Sequence, residues 1–500
     1  MNNFSLLTEP WIPIVGDNDH SLLDVFSNKN LSNIGGSSID KISIFKLLLA
    51  IGQAAWTPQN DKEWKDINID IFSEKVINYL TTNKKDFYLY GDKPFLQYKE
   101  LKDQIKLISC YNLMPDISTG NNILIFDSQK KTEITDKDKA LILLNHMNFP
   151  LGGKKVDNSI SLAKNYQKKK GGAPGSSLGF LGYLHSFYIG DSILETIYIN
   201  ILTTDDINSI ATFSEGLGIP PWKCLPMEEI GNDAIKYSHT YYGNLLALNR
   251  FILLSDNSPE LYNTEGIIPN ASYKEGIADL TCTLIPDKKS HRIVWCSTDK
   301  KPWRQFTALL SFLNATRTSK IDTTLQIELV TKRLKTLSKK RFKIWSGGIS
   351  TSNNAGEQYL TGTDDILSSE QPIDIQWLGN IWYAHLQTEM ENLDKISKLI
   401  YMSVKNYYKE RSSFELSKTI PEKATYKFWT DCELLFPHIM EVSNDYNDNS
   451  IKKLRMEIIS IANDCYSTYC PFDSSRQLVA HVKCKPNFLK YIPNNGGSNE

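Results

Sequence analysis

Residues 386–407 read LQTEMENLDKISKLIYMSVKNY. Leu386, Met390, Leu393, Ile396, Ile400, Val404 and Tyr407 recur three or four positions apart, which lines one face of a helix with 3.6 residues per turn. Most other positions are charged or polar, so this helix is expected to bury one stripe against partners. Further helical segments are expected at about 422–442, 450–469 and 474–491, separated by short polar or proline-containing turns. Four helices in succession predict an up-down bundle whose methionine and aromatic positions are core. Lys452, Lys453, Arg455, Lys483, Lys485 and Lys490 would lend that bundle a basic face.

Upstream the pattern changes. Between 256 and 297 short alternating pieces with Gly and Pro punctuation predict a small antiparallel sheet. Residues 43–55 place Ile44, Leu47, Leu48 and Ile51 at helical spacing, and a second helix is expected over 68–82. Residues 4–15, FSLLTEPWIPIV, read as a short strand entering a turn around Trp11. Residues 87–97, FYLYGDKPFLQ, read as strand-turn-strand broken by Gly91 and Pro94. Residues 192–202 fit a buried strand or helix, 241–254 form a second apolar run, and 302–337 are expected to be mostly helical. Residues 368–372 read as a linker. The expected fold class is α+β: a large mixed N-terminal domain with short antiparallel sheets over residues 1–370, then a C-terminal four-helix bundle over 371–500.

Five hundred residues at 41% hydrophobic suffice for a large core, and the formal net charge of −1 means that any nucleic-acid role rests on local patches or on partners. The eight cysteines contain no CxxC pair, so they are expected to be reduced thiols, mostly core, with no metal site. The first residues have no basic, then long apolar, signal-peptide pattern, and no run of about 18 apolar residues occurs. A cytoplasmic protein with no membrane segment is expected.

Residues 146–183, HMNFPLGGKKVDNSISLAKNYQKKKGGAPGSSLGFLGY, hold Gly152-Gly153 and Gly171-Gly172, with six lysines and one aspartate in or between the pairs. Glycine allows close backbone approach and lysine supplies mobile positive charge. Together they suit a loop laid against a phosphate backbone, where neutralised phosphates release counterions; the alternative is a solvated surface loop. No Gly-Lys-Ser/Thr closes the stretch and it has no GxGxxG, so it carries no nucleotide-hydrolysis signature. Residues 332–343, KRLKTLSKKRFK, contain seven basic residues and no acidic one, which is either a solvated helix face or a nucleic-acid contact. They lead into residues 345–358, WSGGISTSNNAGEQ, where Gly347-Gly348 permits a tight turn and Asn353, Asn354 and Gln358 project beyond it. Residues 112–139 are polar with an apolar island at 123–126, as in a loop that orders on a partner or plugs into its own core.

LLTEPWIPI at 6–14, LLLAIGQAAWTP at 47–58 and KPFLQYK at 93–99 occur in an order and spacing that resembles the CasA family, the large subunit of the type I-E CRISPR surveillance complex Cascade. The glycine-lysine stretch, PPWKC at 220–224 and NNGGSNE at 494–500 also sit where that family has counterparts, so the resemblance spans nearly the whole chain. It implies a DNA-recognition subunit of an antiviral defence complex. In the family a loop near residue 126 reaches toward the 5′ end of the guide RNA, which maps its aromatic tip onto Phe126. Backbone at Gly152 and Gly153, beside Lys154 and Lys155, would meet DNA next to the protospacer-adjacent motif, the PAM. Lys274 is the nearest match to a lysine that probes the minor groove. A Gly-Gly turn followed by an amide-tipped wedge that starts strand separation maps onto Asn353 and Asn354, with Gln358 in reserve. The family wedge is commonly glutamine, and some relatives have a cysteine cluster before the lysine; this sequence departs in both respects. The bundle would pack on small subunits.

No HExxH, HxH, GxSxG, HNH-like or DxD cluster stands out, and the adjacent pairs Asp205-Asp206 and Asp364-Asp365 read as turn acids. The expected function is non-enzymatic and without a cofactor: recognition of the PAM in double-stranded DNA, promotion of duplex opening and R-loop formation, and a platform for a helicase-nuclease. Implied partners are the guide-RNA-containing backbone, 5′-handle-binding and small subunits, the target DNA and that nuclease. The alternatives are a stand-alone metal-dependent nuclease with a helical accessory domain, and a protein-only scaffold.

Overall fold

The computed structural model describes residues 4–113, 133–150, 162, 182–267, 279–287, 291–317, 319, 321–350 and 366–493. Two compact units result: Met1–Pro302 with Ser319–Ile373, and Trp303–Thr318 with Asp374–Glu500.

In the first unit Pro10 and Pro13 interrupt the N-terminal ladder, so the strand expected at 4–15 is a set of isolated bridges, Ser5 to Tyr88, Ile12 to His20 and Ile14 to Ile34. The strand-turn-strand expected at 87–97 is likewise a turn in which Phe95 N donates to Tyr88 O at 2.8 Å. Five helices follow: α1 (Leu22–Ser27), α2 (Ser38–Ala55), α3 (Asp61–Asp66), α4 (Ile69–Thr82) and α5 (Asp136–Asn148). Ser37 and Asp40 form a capping box that starts α2 five residues before the expected onset. Fifteen of its 18 residues are buried, which makes α2 the core helix of the unit rather than an amphipathic one.

The strands are β1 (Ile108–Ser109), β2 (His185–Ile189), β3 (Arg250–Leu254), β4 (Glu260–Glu265), β5 (Leu284–Pro286), β6 (His291–Ile293), β7 (Arg341–Ile349) and β8 (Ile366–Asp374). They form three small sheets, ordered β1-β4-β3, β2-β7-β8 and β5-β6. Antiparallel β2 and β7 set His185 opposite Gly347 and Ile189 opposite Lys343. Phe45 of α2 stacks on Phe187 of β2 at 3.8 Å between centroids, and Phe187 packs on Trp345 at 5.0 Å, so α2 lies directly on this sheet.

Residues 192–202 resolve as a helix, α6 (Ile193–Asn200), capped by Ser192; 241–254 divide into the short helix Tyr241–Leu245 and β3. Helix α7 (Leu325–Leu334) ends within the basic run. Arg333 there is buried, bonded to Asp206 and Ile201 O, while Lys339 pairs with Asp191 and Glu195, and the run continues as β7. It is therefore not one solvated helix face. The linker expected at 368–372 lies inside β8, where Trp345 Nε1 donates to Ser368 Oγ at 2.8 Å.

The second unit contains the expected bundle: α8 (Asn380–Glu410), α9 (Leu416–Glu433), α10 (Phe436–Asn444), α11 (Asp448–Tyr469) and α12 (Ser475–Cys484). The whole stripe from Leu386 to Tyr407 is buried, and α8 packs on each of the other four helices. The helix expected at 422–442 is split at Leu434, because Pro437 cannot donate within a continuous helix and instead occupies the first turn of α10. Arg455 turns away from the expected basic face to form a bidentate pair with fully buried Glu389, at 2.6 and 3.1 Å. All eight cysteines are free thiols. No helix among the described residues is long and apolar enough to cross a membrane.

Candidate nucleic-acid interface

Lys46 interrupts the apolar run of α2, and its ammonium is almost wholly buried. It pairs with Asp279, donates to Asn244 O at 3.0 Å and lies 5.9 Å from the Phe149 ring centroid. Asp279 also accepts from Thr281 N at 2.9 Å and Thr281 Oγ1 at 2.8 Å. His185 Nδ1 stands 2.7 Å from Thr281 Oγ1 and 3.8 Å from Asp279 Oδ2, and its ring meets Phe149 edge-on at 5.3 Å. Burial alone would push the Asp279 carboxyl up. The charges of Lys46 and His185 and the bonds from Lys46 and Thr281 outweigh it and hold the group below the usual aspartate range.

His185, Asp279 and Cys282 lie close enough together to ligate a metal ion. The Lys46 ammonium already holds the Asp279 carboxylate, and in the metal-free chain burial and the neighbouring carboxylate push the Cys282 thiol well up. The arrangement is a self-satisfied ionic network.

Around it the chain packs backbone against backbone. A Cβ on Gly347 would lie 2.6 Å from Leu367 O, and one on Gly348 would lie 2.5 Å from Tyr183 O and 2.6 Å from Cys296 Sγ. The tight turn expected at Gly347-Gly348 is thus a strand, and these glycines serve close approach. Asn249 N donates to Met147 O at 2.8 Å, Ala247 N to Asn148 Oδ1 at 2.8 Å, and Ile267 N to Leu248 O at 2.9 Å. Leu248 holds φ +51°, a strained value for a side chain of its kind. Burial pulls the nearby Arg250 guanidinium down to about 10, a shift that the charge of Glu265 opposes, and it remains a cation at neutral pH. Leu162 N donates to the Glu229 carboxylate at 2.8 Å, a tether inside the glycine-lysine stretch.

Gly152, Gly153, Lys154, Lys155, Lys274, Asn353, Asn354, the reserve Gln358 and Phe126 all lie outside the described residues. Their flanks do not. Phe149 and Tyr183 bracket the glycine-lysine residues, Ile267 and Asp279 bracket Lys274, and Ile349 and Ile366 bracket the asparagines. Through the contacts above, Phe149, Tyr183, Asp279, Ile349 and Ile366 stand at one end of β2-β7-β8, with Phe149 and Asp279 directly on Lys46, while Ile267 follows β4 and bonds Leu248 O. The flanks of Phe126 are elsewhere: Cys110 N bonds Pro259 O beside β1, and Thr135 caps the start of α5. The glycine-lysine stretch leaves the other end of α5, roughly 18 Å along its axis. Lys46 was not legible as a site residue, because one cation in an apolar helix looks like a snorkelling side chain; its only sequence signal is its central place in that run.

Residues 5–463 match the protein family described as CRISPR-associated protein Cse1. The chain superposes on Thermobifida fusca Cse1 with a TM-score of 0.78, at 16% identity and 98% coverage of both chains. Thermus thermophilus CasA (Cse1) gives 0.70 at 17% identity, covering 98% of this chain and 100% of that one. A chain of a CRISPR RNA-guided surveillance complex gives 0.70 at 12% identity, over 97% and 99%. At such identities these structures attest the fold alone. No curated protein matches the sequence.

Proposed function

This chain belongs to the CRISPR-associated Cse1 family, and from that premise we propose that it is the non-catalytic large subunit of an RNA-guided CRISPR surveillance complex. In this reading it recognises the PAM of double-stranded DNA, promotes duplex opening and R-loop formation, and offers a platform to a helicase-nuclease that does the cutting. Residues 1–370 dock on the guide-RNA subunits and read the PAM, and residues 371–500 form the helical bundle that meets the small subunits. The site residues are Gly152, Gly153, Lys154, Lys155, Lys274, Asn353 and Asn354 toward DNA, and Phe126 toward the guide RNA. The protein works in the cytoplasm.

One observation carries this reading: each of the three DNA-directed segments has a flank at one end of the β2-β7-β8 sheet, Phe149 and Tyr183 for the first, Asp279 for the second, and Ile349 and Ile366 for the third. Lys274 is five residues from Asp279, a chain reach of at most roughly 18 Å, or about five base-pair steps of duplex. Segments rooted this closely suit a target of a few base pairs, which is the size of a PAM, whereas guide pairing carries the longer sequence. Minor-groove readout tells A·T from G·C but scarcely A·T from T·A or G·C from C·G, which fits tolerance of several PAM sequences. Amide wedges offer donor and acceptor to unpaired bases without a charge to desolvate.

The test starts with purification of the chain with its native partners and sequencing of co-purifying RNA, which is expected to be short, uniform and to carry one repeat-derived 5′ handle. In the reconstituted complex, Lys154→Ala with Lys155→Ala is expected to weaken DNA binding at all sequences and to reduce the log–log salt slope by roughly 2. Asn353→Ala with Asn354→Ala is expected to slow duplex opening while initial binding persists. Absence of RNA, with magnesium- or manganese-dependent DNA cleavage by the isolated chain, would replace this reading with a nuclease.

A further inference from the structure

We propose that the buried Lys46–Asp279 pair is a positioning device for the segments that leave this end of the sheet, and that it contributes little to stability. The inference rests on the DNA-recognition reading above and names residues that reading does not contain. Lys46 and Asp279 are 233 positions apart in sequence, and both are almost fully removed from water. Desolvating such a pair roughly cancels its attraction, so well-packed apolar side chains in its place would hold the fold at least as well. Ionic bonds differ from apolar contacts in being directional. The one ammonium fixes Asn244 O, the Asp279 carboxylate and the face of Phe149 relative to α2, and Asp279 passes the constraint through Thr281 to His185. Phe149 immediately precedes the glycine-lysine segment, Asp279 ends the segment of Lys274, and His185 faces Gly347, just before the segment of the asparagines. Lys46 thus sets where all three are rooted. An apolar replacement would fill the space while letting these roots shift against one another.

The experiment uses the full chain reconstituted with its guide-RNA partners. Lys46→Met and Asp279→Leu singly each leave a buried unpaired charge and are expected to lower the melting temperature. The double variant is expected to regain the wild-type melting temperature yet to form R-loops roughly two- to thirtyfold more slowly, the span of couplings carried through packed networks. It should also discriminate less between targets with and without a PAM, a ratio that a merely structural role would not move. Lys46→Arg keeps the charge but misplaces it, and is expected to fold normally and to lose discrimination. Wild-type rates and discrimination in either folded variant would overturn the proposal. Lys154→Ala with Lys155→Ala serves as the control: if DNA affinity and its salt slope stay unchanged there, the DNA reading itself fails, whatever the pair does.

Discussion

Gly347 and Gly348 show how a residue type can be read correctly and its purpose missed. Glycine serves turns and close approach alike, and a single sequence does not say which. Here the pair sits in β7, where Gly348 faces Tyr183 O and Cys296 Sγ. The backbone of Tyr183 cannot retreat without moving the bridge it makes to Trp295. Gly348→Ala is therefore expected to destabilise the first unit by about 1–3 kcal/mol, the usual penalty for overpacking. A lower urea midpoint checks this, and an unchanged midpoint would mean the approach is looser than described. Charged residues mislead in a related way. Arg333 and Lys46 look like solvent residues by type, yet each is buried because partners far away in the chain, Asp206 and Asp279, meet it there.

At the scale of elements, periodicity was the dependable signal. The stripe from Leu386 to Tyr407 and the spacing in α2 are local properties, and both appear as helices. Element ends were harder, since caps and breaks depend on one or two residues: Ser37 with Asp40 extends α2 backward, and Pro437 divides α9 from α10. Charge runs were the weakest guide, because the run at 332–343 crosses from a helix into a strand. Arg455 makes the same point in the bundle, where it joins α11 to α8 through Glu389, which also accepts from Tyr446 OH at 2.7 Å. Arg455→Met would strand that carboxylate, at a cost of about 3–5 kcal/mol. Adding Glu389→Leu is expected to restore most of the loss, as read by calorimetry of the full chain. Equal destabilisation in the single and double variants would show that packing, not charge, is what Arg455 supplies.

For the whole molecule, a net charge of −1 bears on how DNA binding would be shared in the proposed function. Local lysines without a basic background suit weak, salt-sensitive contact that becomes tight only when partners contribute. The isolated chain is expected to bind duplex DNA no better than roughly 10⁻⁶ to 10⁻⁴ M at physiological salt, the range of non-specific binding. Fluorescence anisotropy with and without the guide-RNA subunits tests this, and PAM discrimination should appear only in the complex. Nanomolar, sequence-selective binding by the chain alone would contradict that division of labour.

The sequence by itself determined the α+β class, the helical bundle and, through ordered motifs such as LLTEPWIPI, LLLAIGQAAWTP and KPFLQYK, the family. Hydrophobic periodicity and motif order survive in one dimension, because neighbours in sequence impose them. Only the tertiary structure decided that Phe149, His185, Asp279 and Gly347 share one neighbourhood, organised by a lysine that composition and spacing passed over. Contacts between residues such as Lys46 and Asp279, 233 positions apart, have no local signature; they arise when α2 packs on the β2-β7-β8 sheet and the charges it carries must find partners out of water.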